Sequence, residues 1–373
     1  MKTIAYYLPQ YHPIKENDEW WGTGFTEWTN TAKARSLFPA HYQPHVPADL
    51  GFYDLRLPEA REAQANLAKA FGVEAFCYYH YWFGHGRRLL ERPFNEVLAS
   101  GKPNFPFCLC WANESWTGIW HGSPKKLLVE QTYPGRDDEE RHFRELLPAF
   151  KDKRCVTVEG KPLFLVYSPK GLPHPLKFTE HWRSLALKAG LAGLYLVGVE
   201  NAPWSPEEHG FDGATTRPLF LAKNSESGYI SSRLRYYYRK WLKRPTRLYS
   251  YEQSTRHLLL DECLKDNVYP CAIPNWDNTP RSGLRGLVLH GSTPELFRNH
   301  FRAVLDQVRN KPAEHRIVFL KSWNEWAEGN HFEPDLKFGH QYLQVLRDEI
   351  GRFRSFQSDG VTARNPVADA KLR

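Results

Sequence analysis

The 373-residue sequence predicts one α/β domain, a (β/α)8 barrel of the TIM type with long loops at the C-terminal ends of its strands. Three observations predict it. Strand-like apolar runs alternate with helix-like segments about eight times along the chain. The first run ends at Leu8 and continues into Pro-Gln-Tyr-His-Pro, where a doubly wound open sheet would announce a Gly-rich turn. Polar and aromatic residues gather just after the runs, where barrels carry their chemistry.

The strand-like runs are Thr3 to Leu8, Glu74 to Trp82, Pro106 to Trp111, Leu163 to Tyr167, Leu194 to Val199, Gly213 to Thr215, Val268 to Pro274 and Arg316 to Ser322. They are short and rich in aliphatic and aromatic residues, as strands buried on both faces require. Between them, Leu57 to Phe71, Phe94 to Ser100, Glu139 to Lys151, Thr179 to Ala189, Glu252 to Lys265 and Thr293 to Asn310 space apolar positions at the helical period, and Gln341 to Ile350 closes the series. Residues 1–354 therefore read as one barrel domain with a basic insertion at 217–250. Residues 355–373 lack periodicity and read as a loosely held tail.

Composition narrows the function classes. Aromatic residues make up 14% of the chain, with 13 Trp and 19 Tyr, more than a core needs, which points to rings lining a groove for sugars or stacked bases. The net charge of +8 is local, because seven cations fall between Ser231 and Ser250 with no acid among them. Aromatics that follow strand ends, and cations confined to one insertion, argue against nucleic acid. Six cysteines lie mostly inside apolar runs, and no secretory leader or membrane-length segment stands out, so a reduced, cytoplasmic protein is expected. Cys108 and Cys110 form C-x-C with no second Cys/His cluster. No cofactor or metal is expected.

The strand ends supply the candidate site. The first offers Tyr11, His12 and Trp28, the second His80, and the third Trp111, Asn113, Glu114 and Trp116. The seventh offers Trp276, Asp277 and Arg281. After the eighth comes KSWNEWAEGNHFEPD, with Asn324, Glu325, Trp326, Glu328 and Glu333. An aliphatic run that yields abruptly to three acids and two indoles marks a pocket mouth, since a packed core has no use for them. Two acids flanked by tryptophans suit glycosidic chemistry: one protonates a leaving oxygen, another acts at the sugar, and indole faces stack on pyranose C–H surfaces. The rim histidines His12, His80, His85 and His331 lack metal-binding spacing and are expected to hydrogen-bond sugar hydroxyls.

The stretches YYLPQYHPIKENDEWWGTGFTEWTN, FCYYHYWFGHGRRLLERP, CLCWANESWT, NWDNTPR and SWNEWAEGNHFEPD together resemble the WbsX-like proteins of polysaccharide biosynthesis, whose domain is similar to glycoside hydrolase family 99. The resemblance runs from residue 4 to about residue 350. It implies the same barrel and a retaining mechanism on α-mannoside-like substrates. In that mechanism the first acid of N-E-W-x-E-G deprotonates the sugar's 2-hydroxyl, which attacks C1, and the second protonates the leaving oxygen. Glu325 matches the first role and Glu328 the second. Ala327 stands where the hydrolases usually carry histidine, so one polar contact near the sugar is missing.

Three functions stay open at this point: a glycoside hydrolase, a glycosyltransferase of O-antigen or capsule biosynthesis, and a non-catalytic glycan-binding protein. All three take an oligosaccharide or polysaccharide. A nucleotide-sugar transferase would want a D-x-D metal motif or a phosphate-cradling Gly-rich loop, and neither is found. The segment 233–247, RLRYYYRKWLKRPTR, reads either as solvated surface or as a peripheral contact with an anionic membrane at the inner leaflet.

Overall fold

Side chains that alternate between two faces along each apolar run give the barrel an inside and an outside. The computed structural model describes residues 1–118, 123–201, 203–217 and 237–362. Strands β1 (Lys2–Tyr7), β2 (Ala75–Trp82), β3 (Phe107–Trp111), β4 (Lys161–Val166), β5 (Tyr195–Val199) and β6 (Gly213–Thr215) pair in parallel, each with the next. Strand β7 comes in two pieces on either side of Pro270, which has no N–H to give to a ladder. Its first piece, Val268–Tyr269, pairs with β6, and its second, Cys271–Ala272, pairs with β8 (Ile317–Leu320). Since β8 also pairs with β1, the ring closes, and every expected strand takes part.

Tyr6 lies level with Cys77, and Tyr79 with Cys110, so these residues face the lumen together. Tyr7, Phe76 and Tyr78 face outward, where Phe94, Phe105 and Trp323 pack on them. Each such buried ring contributes about 1.5–3 kcal/mol. All six cysteines are free thiols, five of them buried. No described helix is long and apolar enough to cross a membrane.

The helices are α1 (Lys15–Trp21), α2 (Glu27–Ala32), α3 (Pro58–Ala70), α4 (Arg92–Ser100), α5 (Arg136–Phe150), α6 (Pro175–Lys188), α7 (Tyr251–Arg256), α8 (Thr279–Ser282), α9 (Pro294–Val308) and α10 (Gln341–Thr362). One expected helix differs. Glu252 to Lys265 is not continuous: α7 stops at Arg256, and a 3-10 turn, Asp261–Leu264, follows. Leu258, Leu259 and Leu260 all pack inward, which three consecutive residues of a helix cannot do. Helix α10 extends past residue 355 to Thr362, and 363–373 lie outside the described residues.

Candidate active site

Among the described residues, every barrel strand except β5 sends a residue from its C-terminal end to one cleft of about 480 Å³. Gln10 comes from beyond β1, Tyr79 and Tyr81 from β2, and Glu114 and Trp116 from beyond β3. Tyr167 follows β4, Arg217 follows β6, Trp276 and Arg281 follow β7, and Lys321, Glu325 and Glu328 follow β8.

The two acids are held by a short hairpin. Asn324–Glu325 pairs antiparallel with Asn330–His331 around a 3-10 turn, Trp326–Glu328. Gly329 closes that turn at φ 55°, where a Cβ would come within 3.0 Å of the Asp277 side chain. Only glycine meets both demands without strain. The Asn324 side chain accepts from Leu8 N at 2.7 Å and donates to Leu8 O at 3.0 Å, tying the hairpin to the end of β1. The Tyr11 hydroxyl donates to Asn324 O and accepts from Trp326 N. Glu333 accepts from Tyr53, Gln64 and the Trp326 indole, at 2.8, 2.6 and 2.6 Å.

Charge in the cleft is closely matched. Arg281 donates to Glu27 at 2.9 Å and to Glu328 at 2.5 Å. Lys321 lies 3.9 Å from Glu325, donates to the Tyr79 hydroxyl at 3.1 Å and sits among the rings of Tyr6, Tyr79, Tyr167 and Trp276. Glu27, Glu325 and Glu328 thus meet the cations Arg281 and Lys321 out of water. Burial pushes Glu328 up, and the neighbouring Glu325 charge pushes it further, so it stays well above the usual carboxylate range despite Arg281. Burial also opposes ionisation of Glu325, but Lys321, a hydrogen bond from the Glu328 carboxyl and Arg281 together outweigh it, holding Glu325 below its ordinary value. Burial would discharge Lys321, and Glu325 keeps it charged. Two like carboxyls in one site are thereby shifted in opposite directions.

Of the candidates read from sequence, Glu325, Glu328, Glu114, Trp116, Trp276 and Arg281 line this cleft. The others do not. Tyr11, Asn324, Trp326 and Glu333 stand behind the hairpin as its supports, and Trp28 packs between Tyr11, Tyr53 and Trp326 with its indole donating to Tyr53 O. The Trp111 indole donates to Trp82 O, Asn113 braces Ser168 and Tyr133, and His80 bonds His142 in the shell. His12 is buried with neither nitrogen partnered, and burial lowers it to about 4. Asp277 accepts from Gln43 and Thr279 and meets His41 at 2.6 Å, which overcomes burial and keeps its carboxyl low. His85 is exposed. His331 stacks on Trp326 at 3.7 Å and lines a separate small cavity with His45 and Asp335. Strand-end position alone does not say which way a side chain points, and ten of the sixteen candidate-site residues lie outside the cleft lining.

Glu27 and Tyr81 stand among the strand-end residues of the sequence, but Lys321, Tyr79, Tyr167 and Arg217 are not among its candidates. Period-two alternation inward from Cys77 marks Tyr79 and Tyr81. A lysine four residues before Glu325, at the end of an apolar strand, is an equally legible sign of a buried counter-charge.

With this geometry in hand, comparison with known proteins is informative. The family model described as glycosyltransferase WbsX matches residues 3–346. The chain belongs to the WbsX family. An uncharacterized protein, WxcX, of two Xanthomonas campestris pv. campestris strains is 36% identical over 354 residues, covering 94% of this chain and 49% of its own. The chain thus spans about half the length of those relatives. Among solved structures, the GH99 endo-alpha-mannosidase from Bacteroides thetaiotaomicron, in complex with bis-tris-propane, aligns with TM-score 0.59 at 15% identity, covering 96% of this chain and 98% of its own. A glycoside hydrolase-like protein aligns at 0.56 and 14% identity, covering 93% of each chain. At such identities the shared property is the fold: a TIM-type barrel similar to that of GH99.

Proposed function

We propose that this WbsX-family chain cleaves or transfers α-mannoside-like glycosidic bonds with retention, using the substrate's own 2-hydroxyl as nucleophile. The observation that carries this reading is the pair Glu325 and Glu328, buried in one cleft with their carboxyls shifted in opposite directions. Ionised Glu325 takes the 2-hydroxyl proton, O2 bonds to C1, and the C1–leaving-oxygen bond breaks as Glu328 gives that oxygen its proton. An acceptor O–H then attacks C1 of the 1,2-anhydro sugar and the C1–O2 bond breaks; Glu328 receives the acceptor proton and Glu325 returns its own to O2. A 2-hydroxyl is a poor nucleophile, and alignment within the cleft supplies part of the barrier reduction, up to roughly 7–11 kcal/mol. Trp116 and Trp276 offer indole faces for the sugar.

Water as acceptor gives hydrolysis and a sugar hydroxyl gives transfer. The family's description as glycosyltransferases favours transfer in surface polysaccharide metabolism. The described part of the basic segment, 237–247, exposes Tyr237, Tyr238 and Trp241 and belongs in this reading to a peripheral contact with an anionic leaflet.

The test is incubation with α-linked fluorogenic glycosides, with and without sugar acceptors, and separately with nucleotide sugars. Release of fluorophore with retention supports the reading, and nucleotide release alone would replace it with a nucleotide-sugar transferase. Glu328→Gln should abolish turnover of substrates with poor leaving groups and spare activated ones, whereas Glu325→Gln should impair both. Equal losses on both substrate types would break the division of roles.

A further inference from the structure

Beside the hairpin that carries the acids lies a second cavity, of about 80 Å³, bordered by His45, His331 and Asp335. All three are buried, and one donor atom from each lies within 4.8 Å of the other two. We propose that His45, His331 and Asp335 form a structural site for a divalent transition-metal cation, with zinc the best fit to two imidazoles and a carboxylate.

The hydrogen bonds around His331 and Asp335 turn a lone pair of each toward one point, and His45 Nδ1, the donor to His331 in the metal-free pair, shifts its proton to Nε2 when it binds the cation. His331 Nδ1 faces Glu333 O at 2.8 Å, and a carbonyl accepts only, so Nδ1 carries the proton and Nε2 is left bare. A backbone carbonyl on the far nitrogen is the arrangement that orients a metal-binding histidine. His331 Nε2 lies 2.8 Å from His45 Nδ1 and 4.0 Å from Asp335 Oδ2. Asp335 Oδ1 is fixed by the amides of Lys337 and Phe338, at 2.9 and 2.7 Å, which leaves Oδ2 for a second partner beside the Tyr42 hydroxyl. His45 Nε2 is buried with no partner, so no hydrogen bond at that nitrogen has to break for His45 to change tautomer. The cavity has room for a cation and one or two waters at about 30 Å³ each.

The placement gives the ion a purpose. Backbone bonds Ala48 N to Pro334 O and Leu336 N to Val46 O already zip the loop after β1 to the segment that follows the hairpin. A metal at their side would fasten that zipper, and with it the His331–Trp326 stack that backs Glu325 and Glu328.

The experiment uses the full chain, stripped with a chelator and then titrated with Zn²⁺ or Co²⁺. Expected are one equivalent bound per chain, a higher Tm with Zn²⁺, and Co²⁺ absorption bands of a nitrogen and oxygen ligand set. His45→Gln and Asp335→Asn should each lower the affinity more than about 100-fold, beyond the loss typical of an outer-shell partner. The wild-type Co²⁺ spectrum keeps the test decisive should either variant fold poorly. Absence of a stoichiometric ion and of the Co²⁺ bands, or binding unchanged in both variants, would overturn the proposal and leave the pair as an ordinary imidazole hydrogen bond.

Discussion

Glu333 shows how one buried carboxyl records its surroundings. Burial raises it to about 7 against the pull of three donors, Gln64, Trp326 and Tyr53. A carboxyl whose folded value lies above its unfolded one stabilises the fold fully below the unfolded value, near 4.5, and loses that contribution as pH rises through about 7. Glu333→Gln removes the titration and also leaves a donor facing an amide NH₂, which costs about 1–3 kcal/mol. The stability difference between wild type and this variant should therefore be largest in mild acid and shrink between pH 4.5 and about 7. Denaturant unfolding across that range measures it, and a difference independent of pH would mean that Glu333 stays ionised throughout. Position in the acidic motif made Glu333 legible as important. Its direction, toward Gln64 on α3, was not, because that contact joins residues far apart in sequence.

At the scale of elements, the strands were legible nearly to the residue, since fully buried strands write themselves as apolar runs. The loops were less so. The hairpin at 324–331 combines two-residue strands with a 3-10 turn, and pieces that short leave no periodic trace. The insertion before β7 was legible as a basic, aromatic segment, and 237–241 are helical. Trp241 is 77% exposed, with Tyr237 and Tyr238 above half, so these rings serve no core. Beside Arg239, Lys240, Lys243 and Arg244 they suit a headgroup layer, where each cation contributes about 1 kcal/mol. Liposome sedimentation should show binding that requires anionic lipid, declines with salt, and falls at least tenfold when those four cations become Ser. Equal binding to neutral vesicles would make the segment plain solvated surface.

Across the whole molecule, the barrel assigns chemistry to the rim and stability to the shell, and that division can be tested far from the cleft. Glu349 on α10 accepts from Arg302 at 2.6 and 2.9 Å and from Arg298 at 2.7 Å, joining α10 to α9. Burial alone would raise its carboxyl, but the two guanidinium groups outweigh it and hold it below 4.5. The sign is opposite to that of Glu333: this stabilisation is present above 4.5 and is lost as pH falls through the lowered folded value. Glu349→Gln should cost about 1–2 kcal/mol at neutral pH, the scale of charge-assisted bonds with partly exposed partners. Its stability should converge on that of wild type in acid. Turnover by the folded variant should be unchanged, because Glu349, Arg298 and Arg302 are not among the residues that line the cleft. Thermal unfolding at several pH values, paired with kcat on an activated glycoside, measures both halves. A fall in kcat at full folding would show that shell and rim are coupled, and that the hairpin bearing Glu325 and Glu328 depends on α10 as well as on β8.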